Sequence, residues 1–189
     1  MQTMRKTGTK IFSWVLLLLL LAGLLTGCGT NNQGKRADGQ SVLRYGSGDY
    51  TAINPALYEH GEINALLFAG LTAHNEKNEV VPGLAEDWSF DEKTCTYTFS
   101  LREGLTFHDG EPLTSEDVKF TLEAILDEQN GSEIVSNYTD IAEIRCPDAL
   151  TVEIRLTQPN AAFPDYMTIG ILPEHLLAGK DLTTCAFNQ

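Results

Sequence analysis

The stretch that most constrains the fold of this chain begins with an alternating pattern at residues 94–101. Apolar and hydroxyl side chains alternate along it, which is the period-2 pattern of a strand with one buried face. The side predicted to be buried consists of Cys95, Tyr97, Phe99 and Leu101. Residues 88–90, Trp-Ser-Phe, precede it across a short polar turn, so we expect the two segments to pair as a hairpin.

A loop and a helix are predicted directly after this strand. Residues 102–112 contain two Gly and a Pro among charged side chains, which indicates a tight loop with Phe107 holding it down. Hydroxyl and acidic residues at 114–117 favour a helix start. The apolar stripe of that helix consists of Val118, Leu122, Ile125 and Leu126. We therefore expect strand, loop and helix to pack as one unit.

Two further elements are predicted from apolar patterns. Residues 59–71 have a helical stripe made of Ile63, Leu66, Leu67 and Leu71. Residues 141–146 and 151–156 form a second hairpin that turns on Pro147 and Asp148.

The signature stretch carries a resemblance to a known family. The run LREGLTFHDGEPLTSEDVKF, preceded by GLAEDWSFDEKTCTYTF, resembles the signature segment of the family 5 solute-binding proteins of ABC transporters. These are extracytoplasmic receptors for oligopeptides, dipeptides and, in some members, nickel complexes. Phe-Ala-Gly-Leu at 68–71 resembles the start of the family's second domain. Leu-Pro-Glu-His-Leu-Leu at 172–177 is similar to the segment where the family's chain returns to its first domain.

The resemblance implies a mixed α/β fold, like that of the type II periplasmic binding proteins. We expect its N-terminal part only, the start of domain I with the inserted β-rich domain II, because typical members are about three times longer. The expected divisions are a lipoprotein signal peptide at 1–27, a flexible tether at 28–40, the start of domain I at 41–67, domain II at 68–168 and a return into domain I at 169–189. In the family the ligand lies between two lobes, and we expect one of them to be missing from this chain.

The N-terminus reads as an export signal. Three basic residues precede a nearly continuous apolar run at 11–25, and Leu-Thr-Gly-Cys at 25–28 resembles the bacterial lipobox. The alternative is a transmembrane anchor, but the run is about 15 residues long and a spanning helix needs about 20. We therefore expect cleavage before Cys28 and lipid chains on Cys28 that hold the protein at the outer face of the cytoplasmic membrane, or in the periplasm of a Gram-negative cell.

Charge and cysteine usage narrow the possible partners. The 26 acidic residues outnumber the 13 basic ones, and such a surface repels nucleic acid. After cleavage an odd number of cysteines remains, Cys95, Cys146 and Cys185, which favours buried free thiols over disulfides. The four histidines, at 60, 74, 108 and 175, have no metal-ligand spacing, so we expect surface or loop-packing roles and neither metal nor cofactor.

Nothing in the sequence has the pattern of an enzyme active site. Two carboxylate pairs, Glu116 with Asp117 and Asp109 with Glu111, could serve acid–base chemistry, but their positions at a helix start and in a loop favour capping. There is no phosphate-binding loop and no nucleophile elbow. These absences count against the alternative of a hydrolase.

The best candidate for ligand contact is the polar loop at 46–54. By resemblance it follows the first strand at the cleft between lobes, where exposed backbone groups could pair with an extended peptide. The residues we expect to contact ligand are Ser47, Gly48, Asp49, Tyr50 and Thr51. The alternative is an ordinary polar loop after an edge strand. Residues 166–172, at the crossing between domains, are a second and weaker candidate.

The leading functional hypothesis is a lipid-anchored receptor that passes oligopeptides or dipeptides to the permease subunits of an ABC importer. A related alternative is a receptor for nickel or another small solute, because the signature segment belongs to the scaffold and does not specify the ligand. A third possibility is a truncated chain that has no activity alone.

Overall fold

The computed structural model describes residues 46, 52–58 and 61–188 of the 189-residue chain. All but the first of these belong to one compact unit, Asp49–Gln189. The signal peptide, Cys28 and the tether predicted from the sequence lie outside the described residues. Within the described ranges, none of the helices combines the length and apolar character that a membrane crossing requires.

The unit is built around a four-stranded antiparallel sheet. A small hairpin comes first, made of β1 (Thr72–His74) and β2 (Val80–Pro82). The larger sheet has the order β3-β4-β6-β5, with β3 at Ala85–Asp91, β4 at Thr96–Leu101, β5 at Ile141–Asp148 and β6 at Thr151–Leu156. The predicted pairing of residues 88–90 with the alternating strand is confirmed, because Trp88 lies opposite Phe99.

Helix α2 (Ser115–Leu126) covers one face of this sheet. The alternating strand presents Tyr97, Phe99 and Leu101 to the core, each at most 5% exposed. Three of the four predicted stripe residues, Val118, Leu122 and Ile125, are fully buried, and Leu126 is half-buried. Each fully buried aliphatic side chain contributes about 1.5–3 kcal/mol. The strand–loop–helix unit predicted from residues 94–126 is confirmed.

The remaining elements are short. They are α1 (Gly61–Leu67), α3 (Phe163–Tyr166), α4 (Glu174–Leu177) and the 3-10 turns Glu128–Asn130, Val135–Asn137 and Ala186–Asn188. Phe107 packs against the core from the loop between β4 and α2, as the sequence predicted.

Two strand-end predictions were wrong. Cys95 lies in the β3–β4 turn with a φ of 53°, because that turn needs a left-handed residue, so the strand starts at Thr96, two residues after the start of the alternating pattern. Pro147 and Asp148 belong to β5, and the hairpin turns at residues 149–150 instead. A register shift in β5 accommodates Pro147, which has no N–H to donate, and the Asp148 carboxylate accepts from the Leu150 N–H at 2.8 Å.

The predicted helix at 59–71 was too long. Helix α1 ends at Leu67, and Leu66 and Leu67 are 50% and 39% exposed instead of forming a buried stripe. The chain leaves the helix there because the next residues pair with another segment, with the Ala69 carbonyl accepting from the Ile171 N–H at 3.0 Å. Leu71 is buried, as predicted, but lies beyond the helix.

Candidate functional site

Two passages of the chain, residues 68–72 and 167–171, run side by side, and we call this pair the crossing. The Ile171 N–H donates to the Ala69 carbonyl at 3.0 Å, and the Thr72 N–H donates to the Met167 carbonyl at 3.2 Å. The Thr72 hydroxyl adds a bond of 2.7 Å to the Pro164 carbonyl. The chain therefore leaves helix α1 and returns toward helix α4 through the same place in the fold.

The crossing needs glycine because the two passages are very close. A Cβ on Gly170 would lie 2.3 Å from the Cβ of Phe68, and one on Gly70 would lie 2.5 Å from the backbone of Thr168. Both distances are shorter than any real contact of a methyl group. These two glycines therefore allow the passages to pair.

A cleft of about 690 Å³ opens beside the crossing. Its lining comes from the loop before α1, from α1, from β1, from the segment around Tyr138 and from the return passage. Aromatic, amide and small side chains dominate the described part of this lining, which also contains a His–Asp pair. The larger and polar side chains of the lining include Tyr58, Asn64, Phe68, Thr72, His74, Asn137, Tyr138, Asp165, Tyr166 and Thr168.

A His–Asp pair at the cleft joins β1 to α3. The Nε2 atom of His74 lies 2.8 Å from the Oδ1 atom of Asp165, and the two side chains are 34% and 49% exposed. The second carboxylate oxygen, Oδ2, has no hydrogen-bond partner among the described residues. Asp165 therefore presents an available acceptor at the cleft.

The aromatic wall is fixed by one buried hydroxyl. The phenol of Tyr138 donates to the backbone carbonyl of Tyr166 at 2.7 Å, and the two rings lie 6.3 Å apart. Burial raises the pKa of the Tyr138 phenol above its ordinary value, and the neighbouring Tyr166 raises it further. Tyr138 is therefore a neutral hydrogen-bond donor that positions Tyr166.

Two amides next to the cleft have unpaired atoms. The Nδ2 of Asn64 donates weakly to the Tyr58 carbonyl at 3.4 Å, but its buried Oδ1 has no donor within the described chain. Asn54 is fully buried; its Oδ1 accepts from the Ala56 N–H at 3.0 Å, and its Nδ2 has no acceptor there. Leaving a buried polar atom unpaired costs about 1–3 kcal/mol, so such atoms are good candidates for ligand contact.

The predicted ligand residues Ser47, Gly48, Asp49, Tyr50 and Thr51 lie outside the described residues, so they remain predictions. Part of the second candidate segment, 166–172, does line the cleft, through Tyr166, Thr168 and the two residues after it. Sequence reasoning missed His74, Asp165 and Asn64. His74 and Asp165 are 91 residues apart, and no spacing pattern could pair them.

The acidic residues that could suggest catalysis have structural roles. The buried carboxylate of Asp117 accepts from the Thr114 N–H at 2.8 Å and from the Glu174 N–H at 3.0 Å, which confirms the capping prediction. Asp109 contacts the Nε2 of His175 at 2.7 Å, and the ring of Phe107 lies 5.6 Å from that imidazole. The bond from His175, followed by the backbone N–H of Glu111, lowers the pKa of Asp109.

A second cavity, of about 270 Å³, shares Phe68 and Ala69 with the lining of the cleft and is mainly apolar. Its lining includes Leu67, Phe107, Leu176 and Phe187, and Leu176 is 42% exposed. Asp109, the hydrogen-bond partner of His175, is part of the same lining.

The three cysteines that the structure describes are free, but their predicted burial was wrong in degree. Cys95, Cys146 and Cys185 are all half-buried thiols. The Sγ of Cys146 lies 3.2 Å from the Ser115 carbonyl, and burial raises the pKa of this thiol. In the part of the chain that the structure describes, no three His, Cys, Asp or Glu side chains gather as metal ligands would.

Comparison with known proteins gives a family match. The family described as "Bacterial extracellular solute-binding proteins, family 5 Middle" matches residues 79–182, which is more than half of the chain. Protein XP55 of Streptomyces lividans is 33% identical over 150 residues, which are 79% of this chain and 28% of that protein.

Solved structures agree with this match. NikZ from Campylobacter jejuni, in complex with Ni(L-His), has a TM-score of 0.72 and 37% identity, covering 75% of this chain and 29% of NikZ. The oligopeptide-binding protein AppA of Bacillus subtilis, in complex with a nonapeptide, has a TM-score of 0.66 and 26% identity, covering 72% of this chain and 28% of AppA. The predicted mixed α/β fold of the type II periplasmic-binding-protein class is confirmed, and the chain spans less than a third of the length of these relatives.

Proposed function

The chain belongs to family 5 of the bacterial extracellular solute-binding proteins, and from this we propose that it contributes to the substrate-binding component of an ABC importer. Its ligand would be an oligopeptide or dipeptide, delivered to the permease subunits in the membrane. No catalytic step is part of this proposal, because the family consists of solute-binding proteins.

The observation that carries the proposal is the cleft beside the crossing. Its volume of about 690 Å³ lies within the usual range of ligand sites, about 300–1,000 Å³. Aromatic rings and Asn64, whose amide oxygen is unpaired, line it together, a combination suited to a ligand that has both apolar side chains and peptide groups. AppA, with which this chain shares its fold, was solved with a nonapeptide.

A nickel complex is the second candidate ligand, and one observation favours it. NikZ was solved with Ni(L-His), and His74 of this chain lines the cleft with an exposed imidazole. One imidazole beside one carboxylate gives two potential ligands to an ion that usually binds more. A peptide therefore remains the first choice.

We also propose the domain division and the anchor. The crossing supports an inserted domain at 68–168, because residues 69 and 171 are hydrogen-bonded and so bring the two boundaries together. The leader at 1–27, lipidation of Cys28 and a tether at 28–40 would hold the domain at the outer face of the cytoplasmic membrane. Ligand capture would proceed by closure of a second lobe over the cleft, a population shift driven by contacts with both lobes.

Blocking the cleft tests the proposal. Ala65 is an exposed residue of α1 that lines the cleft, so Ala65→Trp fills the space without disturbing the core. Ala142→Trp, at an exposed position of β5 that is not part of the lining, is the matched control. We expect ligand-observed NMR on the full chain in detergent to detect binding of hexa-alanine, with affinity lost in Ala65→Trp and kept in the control.

The alternative outcomes are informative. Binding of the nickel–histidine complex in preference to hexa-alanine, with the same loss in Ala65→Trp, would favour the second candidate. Equal binding by wild type and Ala65→Trp would show that the cleft is not the site, and the proposal would fail.

A further inference from the structure

Few charged side chains line the described part of the cleft. Among the described residues that line it, Asp165 is the only acidic residue. His74 is the only titratable nitrogen base there, and the described lining contains no Lys or Arg. The chain as a whole carries a formal charge of −13. A ligand entering this cleft therefore meets an available carboxylate oxygen and no guanidinium or ammonium group from the described lining.

Several hydroxyl donors of the lining are already used within the protein. Thr72 donates to the Pro164 carbonyl at 2.7 Å, Tyr138 to the Tyr166 carbonyl at 2.7 Å, and Thr168 to the Asp165 carbonyl at 2.9 Å. Each of these hydroxyls already donates its hydrogen to a backbone carbonyl. Toward a ligand it can therefore only accept a hydrogen bond.

Two unpaired atoms of the described lining residues point the same way, whereas the unpaired donor Nδ2 of Asn54 belongs to a residue outside the lining. The Oδ1 of Asn64 is a buried acceptor without a donor, and the Oδ2 of Asp165 is a second acceptor without a described partner. Asn137 and the hydroxyls of Tyr58 and Tyr166 are lining groups that can donate or accept a hydrogen bond. The wall is therefore rich in acceptors, and the group that complements it is a hydrogen-bond donor.

Aromatic faces add a preference for cations. Tyr58, Phe68 and Tyr166 line the same cleft, and the face of an aromatic ring attracts an ammonium or guanidinium group within about 6 Å. A positively charged donor is thus favoured by the carboxylate, by the unpaired amide oxygen and by the rings.

We propose that Asp165 is a specificity-determining residue that selects ligands with a cationic side chain, as in peptides containing Arg or Lys. The inference rests on the proposed function, because it takes the cleft to be the ligand site, and it adds the charge class of the ligand. His74 holds one carboxylate oxygen of Asp165 and leaves the other for the guanidinium or ammonium group.

Two peptides of matched shape provide the test. Acetyl-Ala-Arg-Ala-amide and acetyl-Ala-citrulline-Ala-amide have no charged termini and differ in the charge of one side chain. We expect ligand-observed NMR on the full chain in detergent to show about three- to tenfold tighter binding of the Arg peptide, a range limited by the half-exposed carboxylate. The preference should shrink when salt is raised from 50 to 500 mM, because the charge is screened.

Variants separate selection from folding. In Asp165→Asn the preference should fall below about twofold while the citrulline peptide binds as before; Asp165→Glu should keep the preference. Asp140→Asn, at a half-buried position outside the lining whose carboxylate accepts hydrogen bonds from Thr157 and Gln158, is the control and should keep the wild-type preference. His74→Gln should also keep the preference for the Arg peptide. If Asp165 acted only by holding β1 against α3 through His74, this variant would lose the preference.

Three results would overturn the inference. Equal binding of the two peptides by wild type removes the charge preference and leaves the proposed function standing. An equal loss of both peptides in Asp165→Asn assigns the residue a structural role. Binding of neither peptide, nor of hexa-alanine, refutes both the inference and the proposed function.

Discussion

Replacing Asp117 by Asn should destabilise the domain strongly although it removes only one charge. The side chain is 5% exposed, its Oδ2 accepts from the backbone N–H and the hydroxyl of Thr114, and its Oδ1 accepts from the Glu174 N–H. Asparagine has a single oxygen, so one backbone N–H must face an amide NH₂ group. The carboxylate therefore joins the start of α2 to the start of α4 in a way that the amide cannot.

The magnitude follows from these contacts. Losing one hydrogen bond to a charged group and leaving its donor unpaired costs about 1.5–3 kcal/mol, and losing the negative charge at the helix N-terminus adds about 0.3–1 kcal/mol. The free energy of unfolding should therefore fall by about 2–4 kcal/mol. For a chain of this length that corresponds to a Tm lower by about 4–16 °C.

Urea and thermal unfolding of the full chain, followed by circular dichroism, measure this change. Glu116→Gln is the matched control, because Glu116 is exposed and its contact with the Lys119 amine is 3.9 Å long. It should lower the free energy of unfolding by only about 0.3–1 kcal/mol, because it loses a negative charge in the first turn of the same helix but no hydrogen bond to the backbone. The Glu174 amide should also exchange its hydrogen faster in Asp117→Asn. An Asp117→Asn protein as stable as Glu116→Gln would show that the bonds of the Asp117 carboxylate do not stabilise the domain.

Three further predictions concern other parts of the chain. Gly170→Ala should lower the free energy of unfolding by about 1–3 kcal/mol, because the new methyl group would meet the Phe68 Cβ at 2.3 Å; an unchanged thermal melt would show that the crossing can separate. The hydrogen bonds from Arg145 and then Arg155 lower the pKa of Glu143 in the folded state. The contribution of Glu143 to stability is therefore present above its unfolded-state pKa of about 4.3, and it is lost as the pH falls through the lower folded-state pKa. The stability difference between wild type and Glu143→Gln should therefore shrink on acidification below pH about 4, and a difference that grows there would have the wrong sign. Metabolic labelling with a radioactive fatty acid should mark the wild type and not Cys28→Ala, and equal labelling of both would remove the anchor.

The local elements could be predicted because their patterns are short-range. The alternation at 94–101 identified the buried strand, and the stripe from Val118 to Ile125 identified the helix that covers it. Both patterns reflect burial of one face, which needs no knowledge of distant residues. The resemblance of the signature segment then supplied the fold class.

The errors came where tertiary pairing overrides local preference. Leu66 and Leu67 continue an apolar stripe, yet the chain leaves the helix at that point to pair with residue 171. The turn at 149–150 was displaced because β5 contains a bulge that accommodates Pro147.

The cleft itself was predicted only in part. Residues 166–172 were identified from their place in the family's chain, whereas His74 and Asp165 meet only because the two passages cross. The unpaired oxygen of Asn64 depends on a three-dimensional environment that no spacing rule describes.

Photo-crosslinking tests most directly whether the cleft beside the crossing binds the ligand. A peptide with a benzophenone side chain would be irradiated with the full chain, and the labelled segments would be identified by mass spectrometry. We expect labels on the cleft lining, at residues 58, 64–65, 68–70, 72–74, 134, 137–138, 165–166 and 168–170, that unlabelled peptide removes by competition. Labels on the polar outer face of the sheet, around Thr98 and Arg155, or labels that competition leaves unchanged, would contradict it.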